Sequence, residues 1–396
     1  MTAPVKLGYL IPQFPGQTHA FFWREISELE RRGAEVVLFS TRKPPARLIA
    51  HDWSAKAMAR TTYLGSIHPL QAIATLPYLP IAEMLREGRQ FALDLVLSAS
   101  ASRQLVVHCR RLGIGHVHVH SCGRAALIAA LAQRQGGPTY SLTLHGPLAD
   151  YGPGQQFKWR AAKFATVVTK RLLEEVQATL SPDVPEYLAI QPMGVDTDFL
   201  KREAPYVPPK RGEAVRLFSC GRLNMTKGHQ DLLVAVRLLR DQGLEVTLDI
   251  AGEDDMGGTG YRRELEMRIS ELALQDHVRL LGAIDANAVK EHLLAAHFFV
   301  LVSWQEAIGV AFMEAMSCEV PTLGTDVGGV AELITSGHDG ILVQPKDPQA
   351  LASNIVSLVD DPSHCIALGE RGRARVMEAF HSGRGAETLL QEVSRT

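Results

Sequence analysis

His297-Phe-Phe-Val-Leu-Val-Ser-Trp-Gln-Glu-Ala-Ile-Gly-Val-Ala-Phe-Met-Glu-Ala-Met316 opens on an apolar β-run, His297 to Val302, passes through a polar turn and enters a helix at Gly309. A strand that ends in a turn and opens into a helix is the repeating unit of a parallel sheet covered by helices. The helix start presents backbone N–H groups without intrahelical partners and the positive end of the helix dipole, a setting for an anion such as a phosphate. Glu306 falls in the turn, and Glu314 lies a little over two turns further along. Carboxylates so placed suit paired sugar hydroxyls better than a metal, since no His or Cys follows at ligand spacing. The plainer alternative is a solvated helix start that carries two acids.

Outward from this stretch the same alternation continues. Val215 to Ser219, Glu245 to Ala251, His277 to Leu281, Phe298 to Val302, Pro321 to Gly324 and Gly340 to Val343 read as strands separated by helical patterns. An earlier series, including Leu7 to Ile11, Val36 to Phe39, His116 to His120 and Ser141 to Leu144, reads the same way, and the start from Met1 to Pro12 reads as a first strand. Between the two series lies the polar, proline-rich segment Lys201 to Gly212, the best linker in the chain. Two α/β domains are therefore expected, at 1–200 and 201–373, with the segment 374–396 crossing back as a helix onto the first through Val376, Phe380, Leu389, Leu390 and Val393. The stretch from about Pro44 to Arg111 is mostly helical. Its most apolar part, Pro69 to Leu85, is too short and proline-broken to span a bilayer but can form an amphipathic surface.

A chain of 396 residues agrees with two hydrophobic cores. Its charge is near balance, with 41 Lys+Arg and 43 Asp+Glu, yet residues 1–200 carry about +6 and the remainder about −8. No basic run is dense enough for nucleic acid; the first half is the one suited to an anionic membrane surface. The amino terminus has no long apolar core before a cleavage site, so the expected location is the cytoplasm, with peripheral contact at the inner face of the membrane as an alternative. Five scattered cysteines, without C-x-x-C spacing, support neither a disulfide frame nor a zinc site.

Further constellations carry chemistry. In Gly221-Arg-Leu-Asn-Met-Thr-Lys-Gly228, directly after a strand, Arg222 and Lys227 can hold a diphosphate, or simply face solvent. Pro15-Gly-Gln-Thr18 follows the first strand, and Gly16 allows close backbone approach to a ligand. In Thr143-Leu-His-Gly146, His145 sits at the carboxyl end of a strand, the edge where open α/β sheets bind ligands. His116, His118 and His120 alternate onto one strand face, a weak metal signal without a fourth ligand. Thr325-Asp-Val-Gly-Gly-Val-Ala-Glu332 is a glycine turn opening another helix and is expected to face the same cleft as Glu306; its plain reading is a helix cap. The loop Gly252 to Gly260 lacks the order of a dinucleotide-binding loop.

Taken in order, Gly221-Arg222 with Lys227, Glu306-x7-Glu314 with Gly309 between, Gly328-Gly329-x-x-Glu332 and Gly340-Ile-Leu-Val-x-Pro345 resemble the retaining nucleotide-sugar glycosyltransferases of family 4. The resemblance covers nearly the whole chain and is most specific over residues 215–345. In the first half it rests on Ile11-Pro-Gln-Phe-Pro15, His116-Val-His-Val-His120 and Thr143-Leu-His145, and the chain looks closest to bacterial exopolysaccharide and lipopolysaccharide members. It implies the GT-B fold, two Rossmann-like α/β/α domains facing a deep interdomain cleft, with the acceptor on the first domain and a nucleotide diphosphate sugar on the second. UDP-sugars are favoured and GDP-mannose comes next; the acceptor is a glycan or lipid-linked glycan.

Carried over residue by residue, the resemblance implies that Arg222 and Lys227 neutralise the departing diphosphate and that Glu306 holds donor-sugar hydroxyls. Ile308, Gly309 and Val310 form the donor-binding helix start, and Glu314 takes the ribose hydroxyls. His145 contacts the donor sugar near its reacting face, Ile284 edges the base, and Gly16, Gln17, Thr18 and His120 line the acceptor side. No cofactor and no metal is implied, because helix dipoles and the Arg/Lys pair do that work. The chain departs from the pattern where Gln17 replaces a second glycine, where Met193 replaces an Asn, and where His297 replaces an Asp. Two rivals are a sugar phosphorylase or hydrolysing epimerase of the same fold, and a bilobal binding protein without chemistry.

Overall fold

The computed structural model describes residues 5–45, 51–66 and 68–395. Met1 to Pro4, part of the expected first strand, Arg47 and its neighbours within 46–50, Ile67, and the terminal Thr396 lie outside the described residues. Among the described residues, strands β1 (Lys6–Gln13), β2 (Glu35–Arg42), β3 (Thr61–Tyr63), β4 (His116–Val119), β5 (Thr139–Leu144), β6 (Phe164–Val167) and β7 (Tyr187–Ile190) form one sheet, in the order β3-β2-β1-β4-β5-β6-β7. Strands β8 (Val215–Cys220), β9 (Val246–Ala251), β10 (Val278–Gly282), β11 (Phe298–Leu301), β12 (Thr322–Thr325) and β13 (Ile341–Val343) form a second, in the order β10-β9-β8-β11-β12-β13. Every pairing is parallel. Parallel strands need helical crossovers and are buried on both faces, which is why β4, β6, β11 and β12 are buried throughout.

In each sheet the strand order reverses once, between β1 and β4 and between β8 and β11. Helices on either side of such a point diverge and leave a crevice at the carboxyl ends of the strands. The loops after β1, β5, β8 and β11, which hold Gln17, His145, Arg222 and Glu306, all leave at those ends.

Each sheet has its own core. One contiguous cluster, including Leu7, Tyr9, Phe39, Val117, Leu142 and Trp159, encloses the first sheet. The second sheet is covered on its faces by two clusters, one around Leu232, Leu248 and Ile355, the other around Phe299, Phe312 and Met316. The proline-rich segment 201–212 is laid on the second domain: Tyr206 Oη donates to the His297 carbonyl at 2.8 Å and Arg202 Nε to that of Cys318 at 3.1 Å.

The chain passes between the domains at Val195 and again near His381, and the two crossings are paired. Val195 N donates to the Phe380 carbonyl and Ser382 N to the Val195 carbonyl, each at 2.9 Å. The carboxy-terminal segment, expected as one helix from 374, divides there. Helix Pro362–Ala379 keeps Val376 and Phe380 in the second domain's core, whereas helix Gly383–Val393 lies against helix Ala20–Arg31 and places Ala386 and Leu389 in the first.

Candidate active site

The interdomain crevice is a cavity of about 340 Å³. From the first domain it is lined by Gln17, Thr18, Phe21, Arg24, His51 and His145; from the second by Arg222, Lys227, Ala283, Ile284, Glu306, Ile308, Gly309, Val310 and Glu314. Of the donor and acceptor residues that the resemblance implies, Gly16 and His120 are absent from these walls, and so is Glu332, expected in the same cleft.

On the second domain the charged part of the site is built by two strand-to-helix turns, those after β8 and β11. After β8 the chain turns through Met225–Lys227, and Lys227 Nζ reaches Glu306 Oε2 at 2.5 Å. Glu306 follows β11 and also receives the Ser303 hydroxyl at 3.3 Å. Its side chain and that of Lys227 are 11% and 18% exposed, enough shelter to strengthen the pair yet still open to a ligand. Arg222 is looser, 47% exposed and 3.7 Å from Asp255. Helix Val310–Ser317 starts at Gly309 with φ of +82°, a left-handed backbone that glycine adopts without strain, and has no side-chain cap. Its first N–H groups are thus left for a ligand beside two cations.

Glu314, one helical face further on, accepts from Arg24 Nη2 of the first domain at 2.6 Å, with the two side chains 13% and 12% exposed. Gln17 ties the domains a second time, its amide donating to the Glu253 carbonyl at 2.9 Å and accepting from the Glu253 N–H at 3.0 Å. A third tie lies outside the cavity. Glu332 accepts from the backbone N–H groups of Lys170 and Arg171, at 2.6 and 3.1 Å, so a carboxylate of one domain caps helix Lys170–Leu180 of the other. Thr169 approaches Gly329 so closely that a Cβ there would stand 2.3 Å from its Cγ2. The expectation that Glu332 shares the cleft of Glu306 is corrected accordingly: its carboxylate is engaged by the helix end of the first domain.

His145, immediately after β5, lines the cavity, and its Nε2 lies 3.1 Å from His120 Nδ1. His120 itself, expected on the acceptor side, is buried behind it, with Nε2 2.9 Å from Glu25 Oε2, though off the ring N–H axis. Tyr9 Oη donates to the same carboxylate oxygen at 2.6 Å. Burial first, and His120 after it, lower the His145 pKa to about 3 against the opposing effect of Glu25. A neutral imidazole at the cleft can accept or donate one hydrogen bond to a sugar hydroxyl. His120 turns inward because β4 alternates: His116 and His118 on the same face bond to Thr139, Ser141 and Thr143 of β5. Among the described residues no group of His, Cys, Asp and Glu is placed to hold a metal ion.

Gly16 does not meet the cavity. It is buried under the His19 ring, and its carbonyl accepts from His19 N at 3.0 Å to close the turn, so Gln17 and Thr18 present that loop instead. The loop Gly252–Gly260 wraps around Asp254, whose carboxylate accepts from the N–H groups of Met256, Gly258, Gly260 and Arg262. Sequence reasoning missed Arg24, His51 and Glu253. Arg24 carried the one readable signal, a cation three residues after Phe21 on the helix that follows the Gly16 turn.

Two family profiles account for most of the chain. One described as "Glycosyl transferase 4-like domain" matches residues 18–200, and one described as "Glycosyl transferases group 1" matches residues 201–375. The chain belongs to the glycosyltransferase family with the GT-B fold. Among its relatives, the N-acetyl-alpha-D-glucosaminyl L-malate synthase of Bacillus anthracis is 35% identical over 130 residues, 32% of this chain and 34% of that enzyme. The putative teichuronic acid biosynthesis glycosyltransferase TuaC of Bacillus subtilis is 28% identical over 305 residues, 71% of each chain. The chain thus spans about a third of the first relative and well over half of the second. A crystal structure of Anabaena HepE in complex with UDP and glucose superposes with a TM-score of 0.76 at 17% identity, covering 99% of this chain and 100% of that one, a likeness of fold. Relatives of the chain in this family include enzymes of polysaccharide biosynthesis.

Proposed function

We propose that the protein moves a sugar from a nucleotide diphosphate sugar, UDP-sugar before GDP-mannose, to a hydroxyl of a saccharide or lipid-linked glycan with retention of anomeric configuration. The observation that carries this reading is the convergence of Arg222, Lys227, Glu306 and the uncapped helix start at Gly309 on one sheltered cavity. The diphosphate sits at the helix start between Arg222 and Lys227, which take up its charge as the bond to the sugar's anomeric carbon breaks. Glu306 orients the sugar through its hydroxyls and Glu314 accepts from the ribose, sharing its carboxylate with Arg24. The acceptor hydroxyl enters from the Thr18 and His145 side, bonds to the anomeric carbon on the face the diphosphate leaves, and gives its proton to a phosphate oxygen. The two cations and the helix dipole supply positive charge at the leaving group without a divalent metal. HepE, of the same fold, is described with UDP and glucose, which supports the preference for a UDP-sugar.

Thermal stabilisation by UDP, GDP, ADP, TDP and CDP tests the donor site, with Lys227→Ala as control, since a ligand that binds only the folded state raises Tm by mass action. A shift with one diphosphate, lost in the variant, names the base. No shift with any of them removes the donor site, and an inverted product removes the retaining mechanism.

A further inference from the structure

We infer that Glu25 is a positioning residue that acts through His120 to fix the tautomer of His145, so that the imidazole at the cleft meets the donor sugar with Nδ1 as a hydrogen-bond acceptor. This rests on the reaction proposed above only in giving that nitrogen a sugar hydroxyl to receive.

Behind His145 runs a row of three polar side chains that the reaction does not otherwise use. His145 Nε2 lies 3.1 Å from His120 Nδ1, His120 Nε2 lies 2.9 Å from Glu25 Oε2, and Tyr9 Oη donates to the same oxygen at 2.6 Å. Tyr9, Glu25 and His120 are all buried, whereas His145 is partly open at the cavity wall. Phe22 meets both imidazoles edge-to-face, with ring centroids 4.9 Å from His120 and 5.6 Å from His145, which holds their planes. From the far side Gly385, on helix Gly383–Val393, closes on the carboxylate, and a Cβ there would stand 2.6 Å from Glu25 Oε1. The row is thus fixed at both ends by packing.

Counting protons gives their order. Burial lowers both His120 and His145 to about 3, so at neutral pH each ring carries one proton, and burial keeps the Tyr9 hydroxyl protonated. Each of the three contacts brings two electronegative atoms together, where facing lone pairs would repel, so each must hold one proton. Tyr9 supplies the first. Its contact has the short length of a hydroxyl bonded to a carboxylate anion, so Glu25 has no proton of its own to give. Burial raises the Glu25 carboxyl, while His118 and the Tyr9 bond oppose that shift. The second proton then sits on His120 Nε2. Glu25 approaches off the N–H axis, yet a carboxylate this close still favours the proton on the nitrogen that faces it. His120 Nδ1 is left with a lone pair, and the third proton falls to His145 Nε2. Because that nitrogen is taken by His120, the unprotonated Nδ1 is the one left for the cavity. Without a charge at position 25 the order is lost, since His120 can then carry its proton on either side.

Nitrogen NMR of the full chain, labelled with 15N-histidine and free of ligand, reads the tautomer, and His145→Gln assigns the resonances. The parent is expected to show His145 protonated at Nε2 and bare at Nδ1. Glu25→Gln keeps the shape and removes the charge; the Nδ1-protonated form is expected to become comparably populated, with kcat about ten- to a hundredfold lower and donor KM within about twofold. Gly385→Ala displaces the carboxylate without altering any member of the row, and gives the same reading should Glu25→Gln not fold. His116→Gln removes a buried imidazole from the same strand face, bonded to Thr139 and Ser141, and is expected to lower Tm while leaving tautomer and kcat unchanged. A parent protonated at Nδ1, a Glu25→Gln variant with the parent's tautomer, or a fall in kcat without a change of tautomer overturns the inference. So does a changed tautomer with kcat unaltered. Because the spectrum needs neither donor nor acceptor, the expected tautomers in a chain that transfers no sugar count against the proposed reaction and leave the row's proton order standing.

Discussion

Arg24 and Glu314, 290 positions apart, meet across the cleft at 2.6 Å and are both largely sheltered from water. The residue that receives the ribose in the proposed complex is therefore already held by the opposite domain. Glu314→Gln, which keeps the shape and removes the charge, is expected to weaken nucleoside diphosphate binding about tenfold, since a charge-assisted hydrogen bond contributes about 1.5–3 kcal/mol. Calorimetric titration measures this, and unchanged affinity would mean that Glu314 serves only to close the domains.

Glu306→Ala is expected to lower kcat by about two to three orders of magnitude, the scale of losing one preorganised polar contact at a reacting centre. Folding should suffer far less, because the pair with Lys227 lies at a cavity wall. Turnover close to the parent's, alongside an unchanged Tm, would remove Glu306 from the mechanism.

Buried imidazoles make stability depend on pH in a direction that can be stated. Burial lowers His116 to about 4, and His120 and His145 to about 3, from the usual 6.5. Between pH 6.5 and those values the unfolded chain binds protons that the folded one refuses, so their stabilisation is complete above pH 6.5 and is lost as pH falls toward 4. Each group contributes at most about 1.4 kcal/mol per pH unit in that window. Urea unfolding at pH 7.5 and 5.5 should show a marked drop at the lower pH; equal stability would place these rings in contact with water. Glu25, raised by its burial, acts in the opposite sense as pH rises through its folded pKa.

Gly329→Ala drives a Cβ into Thr169 and the Ala307 carbonyl, each 2.3 Å from where it would stand, and backbone cannot yield there as a flexible side chain could. The expected result is a more open pair of domains, seen as a larger radius of gyration in solution scattering, with kcat falling more than Tm. Glu332→Ala should act in the same direction and cost about 1 kcal/mol for the lost helix cap. A radius unchanged in both variants would show that this contact does not hold the domains together.

Removing residues 383–396 strips Ala386 and Leu389 from the first domain's core and the Thr388 hydroxyl from Gln191 at 2.9 Å. Limited proteolysis should then cut the first domain sooner than the second. Equal rates would show that this helix adds nothing to that domain.

Strand-to-helix alternation made both sheets legible, because a buried parallel strand is a continuous apolar run and its crossover helix must follow at once. Phe298 to Leu301 announces itself this way, and Val215 to Cys220 does so through Val215, Leu217 and Phe218 despite the exposed Arg216. Thr61–Tyr63, Phe164–Val167 and Tyr187–Ile190 do not, since each is short and interrupted by threonine or alanine where Phe298–Leu301 is large and apolar throughout. The Glu306 and Lys227 turns were readable for the same local reason: each sits within a few residues of a strand end.

By itself the sequence determined which residues stand at strand ends beside helix starts, because those positions follow from local periodicity and turn chemistry: Arg222, Lys227, Glu306, Gly309 and His145, with Glu314 further along the helix that Gly309 opens. Only the tertiary structure decided what each one faces. His120 lies behind His145 because strand alternation says which side a residue takes but not which side is core. Gln17 meets Glu253, Arg24 meets Glu314 and Glu332 meets Lys170 only because two sheets, each folded from its own local pattern, come together at their carboxyl edges, and no period within one strand or helix encodes the partner on another domain.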